Sequence, residues 1–365
     1  MKRILSIALA LSVMAASGCG GSKTSRYQAQ FLELFDTVTT IVGYAESEAQ
    51  FREISEQIYD QLEEYHQLYD IYNDYEGVTN LKTINDSAGI APVAVDGRII
   101  DLLLFAREIY GQTGGTVNAA MGAVLSIWHD YRQAGTEDPA AAQLPPMELL
   151  REAQKHTDMD VVLIDREANT VYLPDANMKL DVGAMAKGYA VERVARELES
   201  QGISSLLLSV GGNVRAIGGK IPDEKNRESR WTIGVQNPDK SAGRPELFSL
   251  GIQGLSVVSS GISERYYTVE GVRYHHIIDP VTLMPSGNHA QVTVLCPDSG
   301  LADALSTCLF NLSIEEGASL IEGMEGVEAC WVAGDGSIRY SGGFQEYIKA
   351  EERGILIQRF SRALI

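Results

Sequence analysis

The chain has 365 residues, of which 45% are hydrophobic, so it is long enough to form one large domain or two modest ones. Its formal net charge is −19, and we find no basic stripe along it. This charge argues against nucleic acid as a partner, and it gives anionic lipid headgroups no electrostatic reason to attract the protein.

The N-terminus has the pattern of an export signal. A short basic stretch, MKR, precedes the apolar run ILSIALALSVMAAS, which is too short to span a membrane. Small residues then lead directly to Cys19, as in a bacterial lipoprotein signal whose cysteine becomes lipid-modified. We therefore predict a signal peptide over 1–18, a flexible tether over 19–28, and an exported protein anchored through Cys19 on the outer face of the cytoplasmic membrane. The alternative is an ordinary secretory signal that is cleaved near Ala16.

The remaining cysteines do not suggest a disulfide framework or a zinc site. Beyond Cys19 the chain has Cys296, Cys308 and Cys330, an odd number without CxxC spacing. Cys308 lies in an apolar helical stretch, so we expect it to act as a small buried hydrophobic residue.

The first half of the chain is predicted to be mainly helical. Residues 32–44 are rich in Val, Ile and Thr, which favours a strand. Turn residues are expected to break the chain at 84–89, and a polar loop is expected at 133–146. Apolar residues at helical spacing predict helices over 46–69, 97–113, 116–134 and 147–156.

The second half is predicted to be mainly strands, after a hairpin over 160–174. A glycine-containing turn enters a helix that ends at Gly202, and a further helix covers 301–310. Because helices dominate early and strands dominate late, the fold class is α+β. We find no internal repeat or low-complexity linker, so one domain over 29–348 with a tail over 349–365 is expected. The later strands are expected at 204–219, 230–238, 254–261, 264–271, 272–280 and 289–297.

The stretch DVGAMAKG (181–188) combines a glycine-rich turn with a helix start. Glycine lets the backbone approach a ligand, and a helix N-terminus offers unpaired N–H groups to an anion. Together with Lys187, the pattern suits a phosphate or diphosphate. The alternative is a plain helix start with a solvated lysine, and neither the P-loop pattern nor GxGxxG occurs.

Two histidines follow one another in VRYHHIIDP (272–280). Side chains alternate between the two faces of a strand, so His275 and His276 are expected to point in opposite directions. A histidine that faces a cleft is a natural general base near neutral pH. The alternative is a histidine that is hydrogen-bonded within the sheet and has no catalytic role.

The helix LADALSTCLF (301–310) carries a carboxylate on an apolar background. Asp303 and Thr307 are four residues apart and therefore share one face, and no Lys or Arg occurs within 301–312. A buried carboxylate is costly unless it is paired, and oxygen donors of this kind suit Mg²⁺ that also binds phosphates. The alternative is that Asp303 caps the helix.

Taken in chain order, four motifs resemble the ApbE family of FAD:protein FMN transferases. These motifs are DVGAMAKGYAVERV, LLLSVGGNVRAIG, SSGISERYYTVEGVRYHHIIDPVT and ADALSTCLF, and the likeness covers about residues 30–345. The segments FDTVTTIVGY, YDIYN and GGTVNAAMGAVLSIW fall where the family has its other FAD contacts. The combination is far more specific than any one motif.

The resemblance implies a fold and a reaction. The fold would be ApbE-like and T-fold-related, an α+β domain with mixed or antiparallel sheets and flanking helices. The reaction would be the Mg²⁺-dependent transfer of FMN from FAD to a threonine hydroxyl of an acceptor protein, with release of AMP. Acceptors in the family are commonly exported or membrane-bound electron-transfer subunits.

The resemblance also assigns roles to individual positions. His276 matches the proposed base and Asp303 a catalytic metal ligand, and Thr307 and the backbone carbonyl of Ala184 match the other metal ligands. Phe35 stands where the family has methionine, and Val117-Asn118 stands where it has Phe-Asp. The residues that match FAD contacts are Phe35, Tyr72, Thr116, Val117, Asn118, Asp181, Lys187 and Ile277.

Two other functions are compatible with the same residues. One is a Mg²⁺-dependent FAD pyrophosphatase, in which water replaces the acceptor hydroxyl and the products are FMN and AMP. The other is a surface lipoprotein that binds flavin without turnover, although the joint presence of Asp303, Thr307 and His276 argues against it.

Overall fold

The computed structural model describes residues 24–32, 34–222 and 228–350 of the chain. The predictions for the signal peptide, for Cys19 and for nearly all of the C-terminal tail concern residues outside these ranges. None of the helices within the described residues has the length and apolar character needed to cross a membrane.

Helices and strands divide the described chain into many short elements. The α-helices are α1 (Glu48–Tyr69), α2 (Leu81–Asp86), α3 (Gly97–Gln112), α4 (Gly122–Glu137), α5 (Met147–Gln154), α6 (Ala186–Ser200), α7 (Ser299–Asn311) and α8 (Ile314–Ile321). The strands are β1 (Ser25–Phe31), β2 (Thr39–Ala45), β3 (Val93–Ala94), β4 (Leu163–Asp165), β5 (Thr170–Tyr172), β6 (Ser205–Val210), β7 (Asn213–Gly218), β8 (Trp231–Gln236), β9 (Glu246–Ile252), β10 (Ser256–Gly261), β11 (Tyr266–Val269), β12 (Val272–His275), β13 (Gln291–Cys296), β14 (Glu328–Val332) and β15 (Ile338–Tyr340).

An eight-stranded antiparallel sheet organises the domain. Its strand order is β1-β2-β6-β7-β10-β13-β14-β15, so strands from both ends of the chain lie in one sheet. Alternation along each strand separates two apolar faces. Leu206 and Leu208 of β6 face the core under α1, α3 and α6, whereas Leu207 packs against the core beneath the β8–β9 hairpin. The predicted α+β class with antiparallel sheets and flanking helices is confirmed.

The helices α6 and α7 lie side by side against the central sheet. Ala304 and Cys308 of α7 belong to the core that contains α6, while Leu305 and Leu309 pack into the core formed with β10, β13 and β14. The helix α7 is therefore buried on two sides, which fixes its position. Cys308 is fully buried, as expected.

A separate hairpin, β11–β12, packs on α4 away from the central sheet. Tyr267 of β11 lies in a small core with Trp128 of α4, and its hydroxyl donates to the Gln143 carbonyl at 3.0 Å. The strand predicted over 272–280 ends at His275, because the backbone bends at His276.

The N-terminal predictions need correction. The single strand predicted over 32–44 is wrong, since β1 and β2 are separated by a short 3₁₀ turn at Leu34–Asp36. Phe35 and Asp36 adopt left-handed backbone angles there, with φ of 53° and 54°, which ends the strand. The tether predicted over 19–28 is too long, because β1 begins at Ser25. The alternation of buried Tyr27, Ala29 and Phe31 was the overlooked signal.

Two boundaries in the first half also differ from prediction. The helix predicted over 116–134 is α4, which begins at Gly122 and continues to Glu137 into the predicted loop. Gly122 packs directly against the backbone of Lys179, so the chain before it is held in an irregular bridge rather than a helix. The turn predicted at 84–89 overlaps α2, whose start is fixed by a capping box at Asn80.

Candidate active site

The motifs DVGAMAKG and LADALSTCLF meet where α6 and α7 pack together. Gly188 of α6 donates its N–H to Asp303 Oδ2 of α7 at 2.8 Å, although the two residues are 115 positions apart. Gly188 has to be glycine, because a Cβ there would lie 2.5 Å from Asp303 Cβ and would also overlap the Ser299 carbonyl. The second glycine of DVGAMAKG, Gly188, therefore allows the two helices to approach closely, which is a different role from the ligand contact predicted for the motif.

Asp303 is a buried carboxylate with little protein compensation. Asp303 is only 7% exposed. Among the described hydrogen bonds, its carboxylate accepts one, from the Gly188 N–H. Burial raises the pKa of Asp303 to about 6, even though nearby Lys187 and the Gly188 N–H both act to lower it. The capping alternative is wrong, because Asp298 caps α7 by accepting from the Leu301 N–H.

The other two predicted metal ligands, Thr307 and Ala184, lie on α7 and in the loop that leads into α6, and their role stays a prediction. Thr307 lies one turn after Asp303, and within 302–311 it is the one residue that is not buried. Ala184 is half-buried in the loop that leads into α6. No cluster of three or more His, Cys, Asp or Glu side chains occurs among the described residues, so a metal here would need hydroxyl and carbonyl oxygens. A carboxylate, a hydroxyl and a carbonyl form a donor set that suits Mg²⁺.

The start of α6 is suited to an anion. Met185 occupies the N-cap position and makes no side-chain capping bond. In the first turn the Ala186 N–H donates to the Val182 carbonyl and the Gly188 N–H donates to Asp303, so of these three groups the Lys187 N–H is the one without a described protein partner. Lys187 lies in the first turn and is close enough to lower the pKa of Asp303. The positive helix end and the lysine thus lie beside the Asp303 carboxylate, an arrangement that would suit a diphosphate with a bound metal ion.

The two adjacent histidines have different roles. His275 is buried, donates from Nε2 to the Ser286 carbonyl at 2.8 Å, and accepts from the Ile277 N–H at Nδ1. Both of its ring nitrogens are used, so it stabilises the turn. His276 directs Nδ1 toward the Arg265 carbonyl at 3.2 Å, which requires a proton on Nδ1 and leaves the Nε2 lone pair free.

Burial and nearby positive charges keep His276 neutral. Burial is the largest cause, and together with the guanidinium groups of Arg265 and Arg132 it lowers the pKa of His276 to about 3. The same two arginines act on Asp181, whose pKa is raised by burial. Arg132 and Arg265 line a common cavity of about 370 Å³ with His129. The neutral tautomer with a free Nε2 is the form that accepts a proton from a hydroxyl.

Several predicted FAD contacts lie around this cleft. Asp181 accepts from the Gly183 N–H, and its backbone N–H donates to the Ala119 carbonyl at 2.8 Å, which brings it beside the segment 116–118. Thr116 lies close enough to Cys308 of α7 to lower the pKa of that thiol, which burial raises. The Asn118 amide is occupied by the Thr157 carbonyl and the Ala120 N–H, so it shapes this loop.

Tyr72 and Phe35 lie on two neighbouring loops, the segment after α1 and the turn between β1 and β2. Tyr72 is 54% exposed, and its ring stacks on His129 with centroids 4.8 Å apart. The Phe35 N–H donates to His66 Nδ1, and the Tyr75 hydroxyl connects His66 to Asp70. Asp70 in turn accepts from the Tyr72 N–H at 2.6 Å. Phe35 is therefore linked to Tyr72 through this hydrogen-bonded chain, and direct FAD contacts of both residues stay predictions.

The remaining predicted contact, Ile277, is buried beside α7. Its N–H donates to His275, its carbonyl accepts from the Ser286 N–H, and its side chain lies in the core with Leu305. Sequence reasoning missed His129, Arg132 and Arg265 as residues near the site. The spacing of His129 and Arg132 on one helical face was an available signal, but nothing in the sequence connects them with Arg265.

Comparison with known proteins places the chain in a family. A family model described as the ApbE family matches residues 35–331. The chain belongs to the ApbE family. It is 33% identical over 289 residues to the FAD:protein FMN transferase of Treponema pallidum, an alignment that covers 76% of this chain and 77% of the relative. It is 34% identical over 250 residues to an FAD:protein FMN transferase of Klebsiella pneumoniae, covering 68% and 73% of the two chains.

The ApbE fold is also found by structural comparison. The crystal structure of the ApbE protein of Thermotoga maritima superposes with a TM-score of 0.76 at 29% sequence identity, covering 89% of this chain and all of that chain. The ApbE family match spans every residue discussed for the cleft, from Phe35 to Thr307.

The close approach at Gly188 predicts a specific sensitivity. Gly188→Ala should force α6 and α7 apart, lowering the free energy of unfolding by at least about 2 kcal/mol through overpacking and loss of the bond to Asp303. Urea unfolding measures this change. Gly111→Ala is the matched control, because a Cβ there meets nothing within 4 Å and alanine favours the helix. Equal stability of the two variants would contradict the packing argument.

The raised pKa of Asp303 predicts a pH-dependent stability. Between pH 3.8, the ordinary value, and about 6 the unfolded chain loses this proton while the folded chain keeps it, so metal-free stability falls as pH rises. Across this pH range the free energy of unfolding should fall by roughly 3 kcal/mol. Asp303→Asn should therefore stabilise the protein at pH 7.5 in EDTA and leave it unchanged at pH 3.5. Thermal or urea unfolding at both pH values tests this; an Asn variant less stable than wild type at pH 7.5 would refute it.

Proposed function

We propose that this chain is a Mg²⁺-dependent FAD:protein FMN transferase that attaches FMN to a threonine hydroxyl of an acceptor protein and releases AMP. The observation that carries the proposal is the presence of three features together in one ApbE family member. These are the buried Asp303 carboxylate, Lys187 in the first turn of α6 beside it, and a neutral His276 whose Nδ1 donates to a carbonyl so that Nε2 can accept a proton. FAD is the substrate, and the relatives' shared name supports this assignment.

The α6–α7 crossing would hold the diphosphate of FAD. The Lys187 backbone N–H, in the first turn of α6, and the Lys187 ammonium would bind the phosphate oxygens. Asp303, Thr307 and the Ala184 carbonyl would hold Mg²⁺, which when bound supplies positive charge to the diphosphate and favours departure of AMP. Because Asp303 and Thr307 are carried on a helix buried on two sides, these oxygens are held rigidly.

His276 would accept the proton of the acceptor hydroxyl. The hydroxyl oxygen attacks the FMN phosphorus, the bond to the oxygen that bridges the two phosphorus atoms breaks, and AMP leaves with that oxygen. The hydroxyl proton moves to Nε2, which is free because Nδ1 donates to the Arg265 carbonyl. Asp181 and Tyr72 would line the FAD side of the cleft. The low pKa of the imidazole keeps it in the accepting form at neutral pH.

The predicted export signal gives this activity a location. Processing at Cys19 would attach the enzyme to the outer face of the cytoplasmic membrane, where its acceptors would be exported or membrane-bound electron-transfer subunits. The net charge of −19 means that the lipid, and not surface electrostatics, would hold the protein at the membrane.

One experiment distinguishes transfer of FMN to a protein from hydrolysis of FAD. The protein is incubated with FAD and Mg²⁺, with and without a mixture of exported proteins, and AMP, free FMN and peptide-bound FMN are measured by mass spectrometry. We expect AMP release only with acceptors present, together with FMN on threonine. Stoichiometric AMP and free FMN without acceptors would instead identify an FAD pyrophosphatase, and FAD retention without any product would identify a flavin-binding protein.

Replacing the proposed base should separate binding from chemistry. His276→Ala is expected to bind FAD within about twofold of wild type but to transfer FMN at least about 100-fold more slowly, as loss of a general base does. FAD affinity is measured by fluorescence quenching, and transfer by fluorescence of the flavinylated acceptor. His275→Ala is the comparison variant, because His275 is expected to stabilise the turn and not to accept the proton of the acceptor hydroxyl. Equal loss of FAD binding and transfer in His276→Ala would indicate a structural residue.

A further inference from the structure

Two hydrogen bonds join α6 and α7 one helical turn apart, and we call them the first and the second rung. The first is the bond from the Gly188 N–H to Asp303 Oδ2. The second runs from the Ser299 N–H to Glu192 Oε2, also at 2.8 Å. Gly188 and Glu192 are four residues apart on α6, as are Ser299 and Asp303 on α7, and the pairing order shows that the helices are antiparallel. Each rung therefore lies one helical turn from the other on both helices.

Glu192 is the centre of a buried charged cluster at the second rung. The residue is 4% exposed, and besides the Ser299 N–H its carboxylate accepts from Arg196 Nε at 2.9 Å and from Arg215 Nε at 3.0 Å. Arg215 belongs to β7 of the central sheet and is itself buried. Arg196 also pairs with Asp298, the cap of α7. The first N–H of α7 is thus connected to α6 and to the sheet through one carboxylate.

No residue of this cluster belongs to the proposed chemistry. Glu192 lies one turn beyond Gly188, which binds the metal carboxylate, and it has a full set of protein donors. A slip of one residue between the helices would move Asp303 by about 1.5 Å along the axis and rotate it by about 100°. The first rung alone does not prevent such a slip, because it ends on the side chain that has to be positioned.

We propose that Glu192 is a positioning residue for the metal site: by binding the Ser299 N–H while paired with Arg215, it sets the register of α7 on α6 and so aims Asp303. The proposal rests on the proposed function, because it takes Asp303 as a ligand of Mg²⁺. Outer-shell groups that orient a metal ligand typically change metal affinity by about 10- to 100-fold when they are removed.

A single substitution at Ser299 can delete the N–H that forms the second rung. Ser299 is the first residue of α7 after the Asp298 cap, a position where proline fits a helix, and Asp298 has the extended backbone that proline favours before it, with ψ of 124°. Ser299→Pro deletes the N–H that binds Glu192, and it also loses the bond from the Ser299 hydroxyl to Asn213. Ser299→Ala is the matched control, because it loses only that hydroxyl.

The measurement is the affinity of the full-length, FAD-loaded protein for Mn²⁺, followed by the electron paramagnetic resonance signal of the free ion. We expect Ser299→Ala to bind Mn²⁺ within about twofold of wild type and Ser299→Pro to bind at least about tenfold more weakly. A merely structural role would lower the unfolding midpoint of Ser299→Pro and leave the Mn²⁺ affinity of its folded form unchanged. That result would overturn the proposal.

A second pair of variants covers the case in which Ser299→Pro does not fold. Glu192→Gln removes the charge of the central carboxylate, and Arg196→Gln removes only its half-exposed partner. The same tenfold difference is expected between these two variants, and equal affinities would overturn the proposal. Asp303→Asn distinguishes the two levels of the argument: if it binds Mn²⁺ as wild type does, the metal assignment of the proposed function fails and the positioning role fails with it. If Asp303→Asn weakens Mn²⁺ binding while the variants of the second rung bind Mn²⁺ as their controls do, the positioning role fails and the proposed function stands.

Discussion

The site depends on one costly arrangement, the burial of the Asp303 carboxylate between two helices with a single backbone N–H as its described protein donor. A carboxylate in such a place destabilises the folded chain at neutral pH unless a cation joins it. The surrounding structure is built around this constraint. Gly188 has no side chain so that α6 can come close enough to donate, and α7 is packed on two sides so that the carboxylate keeps its direction.

The second half of the chemistry comes from a different part of the fold. The β11–β12 hairpin packs on α4 and ends at His275, after which the backbone turns and presents His276. The carbonyl of Arg265, which directly precedes β11, sets the tautomer of His276, and burial together with two arginines keeps the ring neutral. The Asp303 carboxylate and the His276 imidazole are thus positioned by separate elements, and FAD and the acceptor are expected to meet between them.

Local patterns were sufficient for some of these features. The four-residue spacing of Asp303 and Thr307, the absence of nearby Lys or Arg, and the glycine-rich start of α6 could all be found in the sequence, and the order of the motifs led to the correct family. The resemblance also selected His276 over His275. The structure adds the reason that His275 is unsuitable as a base, since both of its ring nitrogens are already bonded.

Long-range packing could not be predicted in the same way. Nothing near Gly188 in the sequence shows that Asp303, 115 positions later, excludes a Cβ there, and nothing near Glu192 shows that it binds the first N–H of α7. The left-handed turn at Phe35 interrupts a segment whose composition favours a continuous strand, because backbone angles there follow from the loop's contacts and not from propensity. Strand β1 was missed because its polar residues hid the alternation of Tyr27, Ala29 and Phe31.

The central claim is that a divalent metal binds at Asp303 together with the diphosphate of FAD. The most direct measurement is the anomalous scattering of Mn²⁺ in crystals of the protein grown with FAD and this ion. The account predicts one strong anomalous peak within coordination distance of Asp303, Thr307 and the Ala184 carbonyl, in contact with the diphosphate. A peak elsewhere in the cleft, or ordered FAD with no peak beside Asp303, would contradict it.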